Sequence, residues 1–174
     1  MTLRCLPLVS LLACAAGLLT ACGGSEELAG GPTSLPAPPE SFWGASAPES
    51  SQGVTEGLAR AASGDAVALR GTLQDFVGGL AAFILVEEAL DHCAEMGDDD
   101  HCPTPWDYCC ADPDALRAGT VTVELRDGEG MPGAWQVQGF HGLDRLSEIC
   151  VEGTLERDSA GNPLIVASRI SAAL

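Results

Sequence analysis

The chain has 174 residues and a formal charge of -17, with eight arginines and no lysine. That balance excludes docking by charge on nucleic acid, where basic residues that neutralise phosphates supply most of the affinity. It equally excludes an anionic lipid surface, and it favours a cation or a basic partner.

The first element is a leader. Arg4 is followed by an apolar run from Leu6 to Leu19, shorter than the about 20 residues needed to cross a bilayer. The run ends in Leu19-Thr20-Ala21-Cys22, with Gly23-Gly24-Ser25 behind it. This phrase resembles the lipobox of bacterial lipoprotein signal peptides. The resemblance implies that residues 1–21 are removed and that Cys22 is lipidated as the first residue of the mature chain. A competing box, Leu11-Leu12-Ala13-Cys14, leaves too short an apolar run before it. An ordinary secretory peptide with a chance cysteine is the alternative. Gly23 rather than Asp after the cysteine implies, by Gram-negative sorting, the outer membrane with the domain in the periplasm. Buried acyl methylenes contribute about 0.8 kcal/mol each, so two chains anchor stably. Membrane contact is then expected through the lipid anchor only. Loss of Arg4 with the leader takes the mature charge to about -18.

Residues 22–63 are rich in Gly, Ser, Pro, Ala and Glu, and Pro32, Pro36, Pro38, Pro39 and Pro48 interrupt any regular element. The composition predicts a disordered tether. As a flexible coil of about 40 residues it would span about 35 Å. Glu56 to Ala62 has room for a helical turn or two. Phe42-Trp43 is an aromatic pair that either docks on the domain or is incidental.

The domain is expected over 64–174, long enough for one core. Val67, Leu69, Gly71 and Leu73 alternate with Ala68, Arg70 and Thr72, which predicts a half-buried strand with a glycine at a bend. Gly78-Gly79 marks a turn, and Ala81 to Val86 reads as a second strand. Val121, Val123 and Leu125 form a third. Ala134 to Gln138 reads as a short ribbon extension, and Leu143 and Leu146 within His141–Glu148 as a short helix. Ile149, Val151, Gly153 and Leu155 alternate as a fourth strand. A turn at Asp158–Pro163 leads to a fifth, Leu164 to Ile170. Two phrases carry a resemblance to the OB-fold, an all-β five-stranded Greek-key barrel: Val67-Ala68-Leu69-Arg70-Gly71-Thr72-Leu73 and Ile149-Cys150-Val151-Glu152-Gly153-Thr154-Leu155. Another small barrel or a sandwich shares the alternation.

Between the second and third strands lies a cysteine-rich insert, 87–119. It holds His92, Cys93, His101, Cys102, Cys109 and Cys110. Its phrase Cys102-Pro103-Thr104-Pro105-Trp106-Asp107-Tyr108-Cys109-Cys110 resembles uncharacterised envelope lipoproteins of planctomycete-type bacteria, which join such a segment to an OB-like barrel. That resemblance brings a fold and no activity.

An excursion of this length in a small domain is functional or stapled. In an oxidising envelope, disulfides among Cys93, Cys102, Cys109 and Cys110 are the expected staple, each contributing about 2–3 kcal/mol. A vicinal Cys109–Cys110 ring is strained. Two pairings remain: Cys93–Cys109 with Cys102–Cys110, or Cys93–Cys110 with Cys102–Cys109. Cys150 is the odd thiol. It is out of phase with Ile149 and Val151, buried under the loop or replacing a loop partner. The alternative is a zinc or copper(I) site from His92, Cys93, His101, Cys102, Cys109 and Cys110, although the paired C-x2-C spacing of zinc modules is absent.

The same insert carries ten acidic residues and one Arg. Asp98-Asp99-Asp100 reads as a solvated tip or a calcium ligand set. Pro103, Pro105, Trp106 and Tyr108 read as a plug over a barrel mouth. Trp106, Asp107 and Tyr108 are also candidates for a binding surface.

No G-x-S-x-G, phosphate loop, dinucleotide fingerprint or H-E-x-x-H occurs, and His141 with Asp144 reads as a cap or surface pair. The sequence therefore predicts a membrane-anchored envelope lipoprotein without catalysis or cofactor. It would be a binding or structural module for a protein, peptide or glycan, and not for nucleic acid. The alternative is a copper- or zinc-handling lipoprotein.

Overall fold

The structure is a computed structural model that describes residues 34–95 and 102–173. The leader, Cys22, the start of the expected tether, Asp98–Asp100 and His101 lie outside the described residues.

In chain order, a two-residue strand β1 (Gln52–Gly53) runs into helix α1 (Val54–Arg60). Strands β2 (Ala66–Phe76) and β3 (Ala82–Val86) follow. After the cysteine insert and its helix α2 (Pro113–Ala118) come β4 (Thr120–Glu124), β5 (Glu148–Arg157) and β6 (Pro163–Ala172). Neighbours run β1-β2-β3-β4-β6-β5, and β5 pairs back onto β2. Strands β2 to β6 thus close a five-stranded barrel of OB-like topology, and β1 lies outside it, parallel to β2. The β4–β6 pair is parallel and the other barrel pairs are antiparallel.

Period-two patterning explains why these segments are strands. Leu69 and Leu73 of β2 point inward with Val121 and Val123 of β4, and Ile149, Val151 and Leu155 of β5 meet them from the other side. Each fully buried side chain of this kind stabilises the fold by about 1.5–3 kcal/mol. The two mid-strand glycines are required by close approach. A Cβ on Gly71 would stand 2.5 Å from the Val86 carbonyl oxygen, and one on Gly153 would collide with the Val166 carbonyl. Gly153 also sits at the register shift between β5 and β6, where the strand coils.

Three expectations are corrected here. Disorder was expected through residue 63, but the chain packs from Ser34 onward and the unit begins there. A 3-10 turn at Glu40–Phe42 sets Phe42 against Trp135 and Trp43 against Phe140. The Gly44 amide donates to the Ile170 carbonyl at 2.8 Å. Helix α1 buries Val54 and Leu58 in the barrel core, with Gly57 pressed on Leu69. The physical reason is spacing. A few large apolar residues, set among Pro, Ser and Gly, bury surface that an average over composition dilutes.

The helix expected over His141–Glu148 is instead a single 3-10 turn, Phe140–Gly142. His141 and Leu146 are left-handed, at φ 49° and 65°, and such residues end a helical hydrogen-bond ladder. Leu143 is buried through this turn, without a helix. The ribbon at Ala134–Gln138 is also absent, since only a single bridge, Arg126 to Pro132, forms in this connection. A second short helix, α2, lies inside the cysteine insert. Asp112 caps α2 by accepting from the Asp114 and Ala115 amides at 3.0 and 2.9 Å, and Pro113 opens it.

Candidate functional site

The two arms of the cysteine insert are zipped by backbone hydrogen bonds. The Cys93 amide donates to the Asp107 carbonyl at 2.8 Å, and the Ala94 amide to the Pro105 carbonyl at 2.9 Å. A 3-10 turn at Cys93–Glu95 and a turn at Thr104–Asp107 fix the directions of the arms. The zipper brings thiols that are distant in sequence to one place.

Cys109 is the hub of that place. Its Sγ lies 3.3 Å from Cys93 Sγ, 4.0 Å from Cys102 Sγ and 3.8 Å from Cys110 Sγ. The sulfurs of Cys93, Cys102 and Cys109 all lie within 4.8 Å of one another. No disulfide joins the described cysteines to one another. Neither His92 nor Cys110 completes the group of three. The His92 ring meets Tyr108 edge-on at 6.2 Å, and its Nε2 is 3.8 Å from Glu95.

The thiols differ in acidity. Hydrogen bonding to Cys109, then burial, pushes Cys93 up to about 12. The Thr104 hydroxyl and then the Thr104 backbone hold Cys102 below the usual thiol value. At Cys109 the hydrogen bond from Cys93 pulls downward, but Cys110, Cys102 and burial together leave it raised.

The insert is docked on the outer face of β2, not over a barrel mouth as expected. Thr72 alternates with the inward Gly71 and Leu73, so it faces out, yet it is only 8% exposed. Tyr108 is 1% exposed, and burial pushes its phenol up. Beside it, Gln74 donates to Asp107 at 3.4 Å. Arg145 grips Asp75 at 2.6 Å and lies 4.5 Å above the Trp106 ring. Tyr108 is therefore corrected from a binding surface to a buried anchor, because a large ring between two turns fills the gap between insert and strand. Trp106 and Asp107 are half-buried around it.

Cys150 stands apart from this cluster. It faces out from β5 beside Ser171, is fully buried, and is reached by Ser51 and by the charge of Glu88 at the start of the insert, not by the cysteines of the insert. It replaces no partner of the cluster.

Sequence reasoning missed Arg145 as the link between β2 and the insert. Nor did it pair His141 with Glu40, which meet at 2.7 Å while the imidazole stacks on Trp43. Both depend on residues far apart in the chain.

A groove of about 610 Å³ opens beside the docked insert, lined by Gln74, Leu116, Arg117, Thr122, Asn162 and Leu164. It runs between α2, the outer face of β4 and the β5–β6 turn. Among the described residues no helix is long and apolar enough to cross a membrane. No protein-family model matches the chain, and no curated protein matches it in sequence.

Proposed function

We propose that this chain is a cell-envelope lipoprotein, anchored through Cys22, whose barrel is a non-catalytic binding or structural module for an envelope protein, peptide or glycan. The observation that supports it most is the use made of the insert. Tyr108, Trp106 and Asp107 are engaged with β2, so the excursion serves as a docked brace beside an open groove. In the periplasm the thiols are expected to close as disulfides. The 3.3 Å approach favours Cys93–Cys109, which leaves Cys102 with Cys110.

Membrane fractionation tests the anchoring. The wild-type chain should sediment with membranes, and Cys22→Ala should be either unprocessed or released. A processed Cys22→Ala chain retained on membranes at the wild-type level would refute the assignment.

A second reading, metal handling, is favoured by the three converging thiols. Soft thiolates select copper(I) or zinc.

A further inference from the structure

We infer that Cys93, Cys102 and Cys109, in their thiol state, are the thiolate ligands of one copper(I) ion. This rests on the metal-handling reading above and adds the ligands and the ion. One sulfur, Cys109, is the near neighbour of all three others, at 3.3, 4.0 and 3.8 Å. A disulfide satisfies only one of those contacts.

The spacing suits a shared ion. With metal–sulfur bonds of about 2.3 Å, three sulfurs around one ion stand about 4 Å apart. Cys93, Cys102 and Cys109 all lie within 4.8 Å of one another, so small side-chain shifts complete the triangle. The zipped backbone and the Tyr108 anchor hold both arms before any ion arrives. Cys93 forms the buried wall and Cys109 the exposed one, which leaves an entry side.

The donor set then selects among soft ions. Among the described residues the donors that converge are all sulfur, and the His92 ring packs against Tyr108 instead. An all-thiolate donor set is soft and suits monovalent copper. Each sulfur binds as thiolate and releases its proton to solvent.

The experiment titrates the reduced full-length chain with copper(I) under anaerobic conditions, against a chromogenic copper(I) chelator. X-ray absorption counts the sulfur ligands. The expected result is one ion per chain with three sulfurs. Affinity should fall by more than the order of 100-fold in Cys109→Ser and Cys102→Ser, beyond the cost of losing an outer partner. Cys110→Ser and Cys150→Ser should bind as wild type. Cys109 is exposed, so its serine variant should fold, and circular dichroism checks this. An equal loss in Cys110→Ser, or in alanine variants of His92 or His101, overturns the three-ligand assignment. Preferential four-coordinate zinc binding overturns the copper inference but leaves metal handling standing. No binding of either ion above the Cys109→Ser level overturns both.

Discussion

The Arg145 guanidinium lies 4.5 Å above the Trp106 ring, and the same side chain holds Asp75 of β2 at 2.6 Å. One residue from the β4–β5 connection thus fastens the cysteine insert to the barrel wall. A partly exposed cation–π contact contributes about 0.5–1 kcal/mol. Arg145→Ala should therefore lower the melting temperature slightly while clearly raising amide exchange across Cys93–Glu95 and Thr104–Cys109. Unchanged exchange there would show that the fastening is idle.

Tyr108 carries more of the docking. Tyr108→Ala removes a fully buried ring, a change that costs about 3–5 kcal/mol for large aromatics. Its hydroxyl makes no hydrogen bond among the described residues, so Tyr108→Phe should change stability by less than about 1 kcal/mol. Chemical denaturation of the two variants checks the contrast. Equal losses would contradict burial of the ring as the source of the effect.

The N-terminal arm belongs to the fold. Trp43 stacks on His141 at 4.4 Å and packs edge-on to Phe140. Trp43→Ala should cost about 2 kcal/mol, below the full core value because the ring is half-buried. Limited proteolysis of the wild type should spare the chain from Phe42 onward, and Trp43→Ala should open sites before Gly44. Rapid cleavage of the wild type between Phe42 and Arg60 would restore the tether reading.

Cys150 gives a pH signature. Burial, then the neighbouring Glu152, pushes its thiol from 9.0 up to about 11. The folded value is the higher one, so the unfolded chain ionises first. The resulting stabilisation is complete below pH about 9 and is lost as pH rises towards about 11. Relative to Cys150→Ala, wild-type stability should be flat up to pH 9 and fall above it. Alkylation of native Cys150 at pH 8 should be slow until denaturant is added. Labelling at the rate of an exposed thiol would contradict its burial.

Much of the barrel was legible because period two is a local signal. Val121 and Val123 alternate with Thr122 and Glu124, and Gly71 and Gly153 mark bends at which a Cβ does not fit. The arm was legible only in part: docking of Phe42-Trp43 and a helical turn near Glu56 were among the readings, but the composition pointed to disorder. Phe42 and Trp43 gain their burial from Trp135 and Phe140, about a hundred residues away, and Val54 and Leu58 from the barrel core on which α1 packs. The cysteines of the site were visible as a set, but their star around Cys109 depends on the zipper between Cys93–Ala94 and Pro105–Asp107. Tyr108 read as surface because aromatics among cysteines and acids resemble an exposed tip. Its burial comes from Thr72 and Gln74, on a strand some thirty residues earlier.

The central claim is that the insert is a docked brace whose thiols gather around Cys109. Peptide mapping of the chain, purified from the envelope without reductant and with free thiols blocked, tests this most directly. The account predicts a Cys93–Cys109 crosslink, Cys102 joined to Cys110, and Cys150 free. A Cys93–Cys110 or Cys93–Cys150 crosslink, or four blocked thiols in the insert with no bound metal, would contradict it.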